Sequence, residues 1–183
     1  MNKLIYIAAA LLAAACKKES ETPAPSGANT LACQIEGQDF TPHLPPVILG
    51  TPKALDVRRV NYKGGLAITA KNSFNELTLY LYATQGPGTY ALALARSPLP
   101  FGSNPDSYGG YRSIPPFVPG VTDPNHLLPP TVYYTDAANG GTVTITRFDT
   151  VAHVVGGSFS YTARTAATGK LVHITNGRFD AKF

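Results

Sequence analysis

The chain has 183 residues, a formal net charge of +4 and a charged fraction of 14%. Its basic residues are scattered along the sequence instead of forming the patch or stripe that nucleic-acid binding needs, so no nucleic-acid partner is expected. Without its N-terminal segment, the length suits a single domain with a sizeable core.

The N-terminal segment has the three parts of an export signal. A charged start at Lys3 precedes an apolar run over residues 4–15, and small alanines stand directly before Cys16. The run has twelve residues, whereas a membrane-spanning helix needs roughly 20, so residues 1–15 are predicted to be a cleaved signal peptide. The alanines and Cys16 resemble a bacterial lipobox, which implies that the thiol of Cys16 carries a diacylglycerol. The alternative is an ordinary signal peptide that leaves Cys16 as a free thiol.

Residues 16–29 are predicted to be the lipidated cysteine and a flexible tether, because they are rich in proline, serine and glycine and contain almost nothing to bury. Lys17, Lys18 and Glu19 resemble the short export signals of Bacteroidota lipoproteins. That resemblance implies an outer-membrane lipoprotein facing the periplasm or the cell surface, and the alternative is a plain solvated tether.

The remainder of the chain alternates apolar with polar residues, which predicts β-strands. Residues 31–35 alternate in this way and place Cys33 on the apolar face, where free cysteine is usually buried, so it is interpreted as a packed thiol. Residues 76–82 alternate cleanly, with leucines on one face and Tyr80 and Tyr82 on the other. The alternation is expected to place five residues in the core, namely Leu79, Ile145, Phe159, Ile174 and Phe179.

Glycine-rich turns between these segments predict hairpins, and no segment shows a helical period. Turns at residues 63–65, 85–88 and 139–141 separate strand-like segments, and a long one follows at residues 171–183. The sequence therefore predicts an all-β domain over residues 30–183, an antiparallel β-sandwich of about nine or ten strands, rich in meander connections. The alternative is a closed or partly open antiparallel barrel.

Residues 97–130 interrupt the alternation of apolar and polar residues and are predicted to be a Pro/Gly-rich insertion. They contain nine prolines and four glycines in 34 residues, and a connection of this length is usually functional or disordered. They also contain aromatic residues such as Tyr108, Tyr111 and Phe117, which are too many for a free linker. We expect the insertion to pack across a sheet face or over one end of the domain, either as a cover or as a ligand-binding element.

Motifs for catalysis and metal binding are missing from the sequence. The four histidines lack both the HExxH spacing and an i, i+2 spacing, and no GxSxG, Walker or dinucleotide motif is present. We therefore expect no cofactor, no metal and no enzymatic activity, with a small hydrolase as the least favoured function.

The tyrosines suggest a binding surface, because a tyrosine ring is apolar while its hydroxyl stays hydrated. Tyr80, Tyr82, Tyr108, Tyr111 and Phe117 are interpreted as a candidate surface, although they could instead seal the rim of the core. The favoured function is a lipid-anchored, non-catalytic module of the cell envelope that contacts the membrane through its lipid and engages a protein or a glycan. A lipocalin-like carrier of a small apolar ligand is the alternative.

Several stretches of the sequence resemble an uncharacterised family of Bacteroidota lipoproteins. They lie on both sides of the insertion and describe strands and turns, so the resemblance implies an all-β lipoprotein and carries no catalytic residues. These stretches are residues 27–42, 88–90, 141–149, 157–163 and 169–180.

Overall fold

The protein is described by a computed structural model that covers residues 24–45, 53–60, 64–93, 107–115 and 129–183. These residues form one antiparallel sheet of 11 strands, curled into a half-barrel. The all-β prediction is confirmed, and no helix long and apolar enough to cross a membrane occurs in these ranges. The strands are β1 (Thr30–Ile35), β2 (Gln38–Phe40), β3 (Leu55–Val60), β4 (Gly65–Lys71), β5 (Asn75–Leu81), β6 (Gly88–Leu92), β7 (Tyr108–Ser113), β8 (Thr131–Tyr134), β9 (Gly141–Asp149), β10 (Val154–Arg164) and β11 (Leu171–Lys182).

The sheet has two arms that meet at β10. The first arm runs in the order β2-β1-β11-β10-β9-β6, and the second runs β8-β7-β5-β4-β3. The arms are joined where Arg164 of β10 pairs with Tyr134 of β8. Apolar side chains from both arms pack into one core cluster. The curled sheet therefore corresponds to the partly open antiparallel barrel, and the side chains of both arms meet in a single core.

The core is built by alternation along each strand, since successive side chains point to opposite faces of a sheet. The buried apolar side chains on the inner face are 9% exposed or less, and burying a valine, leucine, isoleucine or phenylalanine side chain contributes about 1.5–3 kcal/mol. Burial also raises the pKa of the Cys33 thiol to about 12, as expected for a packed thiol. The predicted core residues that the structure confirms are Leu79, Ile145, Phe159, Ile174 and Phe179.

Two of the predicted hairpin turns carry the chain between the arms instead of forming hairpins. After residues 85–88, β6 pairs with β9 of the first arm, while β5 pairs with β7. After residues 139–141, β9 pairs with β10, while β8 pairs with β7. At residues 139–141 the chain is not even reversed, because β8 and β9 are both antiparallel to β10. The composition of a turn therefore does not select the pairing partner of the next strand, and the meander is interrupted at both places.

The insertion at residues 97–130, expected to be irregular, contains strand β7, which lies between β5 and β8. Glycine is a weak strand former, but here two adjacent glycines make room for aromatic rings on both faces. A Cβ at Gly109 would lie 2.9 Å from the Tyr161 ring, and one at Gly110 would lie 3.0 Å from the Tyr134 ring. The described part of the insertion is therefore an internal strand of the second arm and not a cover.

The last residues of the predicted tether are held on the outer face of the first arm. The backbone N–H and the hydroxyl of Ser26 donate hydrogen bonds of 2.7 and 2.9 Å to the Asp180 carboxylate, and the Gly27 N–H donates to it as well. Arg147 of β9 donates to the carbonyl of Pro25. Burial raises the pKa of Asp180, but these donors outweigh burial and hold the pKa below its usual range. The ordered domain therefore begins before β1.

Candidate functional site

The residues of the predicted binding surface do not form one exposed face. Tyr80 of β5 and Tyr108 of β7 stack on the outer face of the second arm with ring centroids 5.3 Å apart, but they are only 1% and 2% exposed. Tyr82 is half-buried and packs against them. These three tyrosines therefore form an aromatic layer on the outside of the sheet.

Tyr111 lies on the opposite face, because it is three residues from Tyr108 in a strand whose side chains alternate. Its ring packs against Tyr133 with centroids 5.6 Å apart, its hydroxyl donates a 2.6 Å hydrogen bond to Asn75, and burial raises its pKa. The structure thus divides the predicted surface between two faces. Phe117, the signal peptide and Cys16 lie outside the described residues.

A groove with a volume of about 460 Å³ runs along the outer face of the second arm. Its floor contains Thr69, Thr78 and Gly110, which are neighbours across β4, β5 and β7. Tyr108 and Tyr134 line it edge-on to each other, with ring centroids 5.9 Å apart. The Tyr134 ring rests on Gly110 and is half-buried, so its position is fixed while part of it faces solvent. We call this the tyrosine groove.

Charged side chains surround the floor of the tyrosine groove. At one end, the carboxylate of Glu76 on β5 forms ion pairs with side chains from both neighbouring strands. Lys71 of β4 lies 3.6 Å away and Arg112 of β7 lies 3.7 Å away. The three residues are side by side because Lys71 pairs with Glu76 and Glu76 pairs with Arg112 in the sheet register. One carboxylate is therefore shared by two cations.

A second shared carboxylate lies on the edge strand β3. Asp56 lies 3.6 Å from Arg58 and 4.0 Å from Lys53. Among the described residues, the lining of the groove thus has four cations against two carboxylates, an excess of two positive charges. The side chains are 24% to 80% exposed, and exposed pairs of this kind contribute about 0–1 kcal/mol, so a ligand can replace them at little cost.

A larger groove of about 1110 Å³ follows the edge of the first arm at β1. Strand β2 pairs only with the second half of β1, so residues 30–32 have no strand partner on that side within the described ranges. Leu31, Leu55 and Phe179 are among the apolar residues that line this β1 groove.

The histidines in the described ranges are not gathered into a site. His173 is exposed, and its Nδ1 lies 3.0 Å from the Thr162 hydroxyl. His153 lies edge-on to the ring of Phe183 at 5.9 Å. In the part of the chain that the structure describes, no three His, Cys, Asp or Glu side chains are placed to hold a metal ion.

The charged residues of the tyrosine groove were not singled out by sequence reasoning, which treated the basic residues as scattered. The available signal was local: Lys71 and Glu76 flank a short turn, so a β4–β5 hairpin places them side by side. Arg112 could not be added without knowing that β7 is a strand and pairs with β5.

Comparison with known proteins gives a family but no activity. A family model described as a domain of unknown function (DUF6252) matches residues 53–181, from just before β3 into β11. This agrees with the expectation that the family is uncharacterised. No curated protein and no solved structure matches the chain.

Proposed function

The chain belongs to the DUF6252 family, and we propose that it is a lipid-anchored, non-catalytic module of the bacterial cell envelope that binds a glycan. The observation that carries this proposal is the tyrosine groove, with its floor across three strands, its Tyr134 ring against Gly110 and its charged rim. Sugar rings have apolar C–H faces and polar edges, and a tyrosine offers an apolar ring beside a hydrated hydroxyl. The groove therefore complements both parts of a sugar.

The anchor rests on the resemblance of the N-terminus to a lipobox, in an outer-membrane lipoprotein of the Bacteroidota type. One acyl chain gives only marginal membrane binding, so stable anchoring needs two or more, which a lipidated Cys16 would supply. Labelling of cells with a fatty-acid analogue tests this directly. Cys16→Ser should abolish the label and release the protein or leave its precursor unprocessed, whereas label equal to that of the wild type excludes the anchor.

The anchor would leave the tyrosine groove accessible. Pro25 is held on the outer face of the first arm, and the chain from Cys16 to Pro25 spans at most about 30 Å when fully extended. A tether of this length would limit the distance between the domain and the membrane. The tyrosine groove is lined by the second arm and not by the residues that hold Pro25, so the tether would not cover it.

Glycan binding is tested by affinity electrophoresis of the detergent-purified protein in gels containing envelope and extracellular polysaccharides. Tyr134→Ala should weaken retention at least tenfold, and Thr78→Gln, which fills the floor without removing a tyrosine, should do the same. The control is Phe74→Ala, because Phe74 is 52% exposed but does not line the groove. No retention of the wild type by any glycan, or an equal loss in the control, would refute the proposal.

A carrier of small apolar ligands is the second candidate, and the observation that favours it is the apolar lining of the β1 groove. A fluorescent fatty-acid probe should then bind the folded protein. Ala32→Arg, at an exposed position that lines this groove, should block the probe, and binding that is unchanged by this variant argues against a carrier.

A further inference from the structure

Two cations of the tyrosine groove converge on one carboxylate oxygen. Lys71, Glu76 and Arg112 are register partners on β4, β5 and β7. Lys71 Nζ lies 3.6 Å and Arg112 Nη1 lies 3.7 Å from the same atom, Glu76 Oε2, so the two charged groups are at most about 7 Å apart. One ligand carboxylate placed between them would therefore contact both cations.

Both cations retain donors for a ligand while they contact Glu76. Arg112 approaches Glu76 through the guanidinium nitrogen Nη1. The guanidinium group has five N–H donors in total, and a lysine ammonium group has three. Guanidinium groups bind carboxylates with two parallel hydrogen bonds, which is stronger and more directional than a neutral contact. Arg112 is therefore suited to receive a ligand carboxylate at the edge of the groove.

The net positive charge of the groove and the rings of Tyr108 and Tyr134 together favour one class of glycan. The excess of two positive charges attracts acidic chains and raises their association rate, while Glu76 and Asp56 disfavour a chain of closely packed negative charges. We propose that the tyrosine groove binds glycans containing uronic acids, with a carboxylate at Arg112 and Lys71 and a sugar ring against Tyr134; this rests on the proposed glycan-binding function.

The test uses isothermal titration calorimetry of the detergent-purified protein with three probes. The first is an oligogalacturonate, the second is the same oligosaccharide after reduction of its carboxylates to alcohols, and the third is dextran sulfate of similar length. The oligogalacturonate should bind at least tenfold more tightly than its reduced form. Arg112→Ala and Lys71→Ala should each weaken it at least fivefold, whereas Lys170→Ala, an exposed cation outside the groove, should leave it unchanged.

The outcomes separate this inference from the proposed function. Equal binding of the oligogalacturonate and its reduced form overturns the uronic-acid assignment but leaves glycan binding in place. Tighter binding of dextran sulfate overturns it in favour of a general polyanion site. Binding that is lost equally in Lys170→Ala shows that net charge alone is responsible. Failure of all glycans, including those of the electrophoresis experiment, refutes both.

Discussion

The contact between Phe159 of β10 and Gly177 of β11 can be tested by a double-mutant cycle. The two residues are register partners, and a Cβ at Gly177 would lie only 2.5 to 2.6 Å from three carbons of the Phe159 ring. Ordinary van der Waals contact begins at 3.4 Å. Gly177→Ala therefore cannot be accommodated unless the ring moves.

The ring of Phe159 has little room to move, since it is 4% exposed and lies 6.5 Å from the Tyr161 ring and 6.3 Å from the Phe179 ring. Gly177→Ala should cost about 1–3 kcal/mol, as overpacking does. Phe159→Ala should cost about 3–5 kcal/mol, because it removes a buried ring. Once the ring is gone the new methyl group has space, and Gly177→Ala should then stabilise by about 0.5–1 kcal/mol because alanine loses less backbone entropy on folding.

Urea unfolding followed by far-ultraviolet circular dichroism gives the four free energies of unfolding. We expect a coupling energy of at least about 1.5 kcal/mol, at the upper part of the range for residues in contact. Gly86 provides the control, because nothing lies within 4 Å of its Cβ position, so Gly86→Ala and Phe159→Ala should be additive within about 0.5 kcal/mol. Additivity in the Gly177 cycle would mean that the ring does not rest on Gly177 and that the register of β10 against β11 is wrong.

Three further predictions concern titratable side chains. The Arg164 guanidinium holds the pKa of Asp136 at about 2. This pair therefore stabilises the fold above about pH 4, and its contribution is lost as the pH falls towards 2. In an NMR titration, Arg164→Ala should raise the Asp136 pKa towards about 4. Burial raises the pKa of Cys33 to about 12, so the folded Cys16→Ser protein should resist thiol reagents at neutral pH, and reaction at the rate of a free thiol would contradict a packed site. Asp180→Ala should speed hydrogen exchange of the backbone amides that Asp180 holds, and unchanged exchange would show that the tether end is fixed by other contacts.

Which face of a strand is buried could be predicted from the sequence, because alternation is a property of a single strand. Leu79 and Ile174 are buried as predicted, and Phe183, in the last alternating segment, stacks on Phe148 with centroids 5.2 Å apart. The same alternation assigned Tyr80 to the outer face correctly. Its burial there could not be foreseen, because it depends on Tyr108, which belongs to a distant segment.

Strand pairing could not be predicted in the same way, because it depends on contacts between distant segments. The turns at residues 85–88 and 139–141 have the composition of hairpin turns, yet each one moves the chain to the other arm. Strand β7 was missed because its two glycines lower its strand propensity. The need for glycine at these positions comes from the rings of Tyr134 and Tyr161, which belong to later strands and leave no room for a side chain.

The residues that line the tyrosine groove come from distant parts of the sequence, and this decides which mutations can test the groove. Replacing residues 103–119 with a short linker would remove β7, the strand that pairs with both β5 and β8. Loss of binding would then follow from the loss of a strand, whichever surface held the ligand. Arg112→Ala leaves the backbone pairing of β7 intact and removes only a half-exposed side chain from the groove. Because the site is assembled by strand register and not by one loop, single substitutions on β4, β5 and β7 are the variants that can separate recognition from folding.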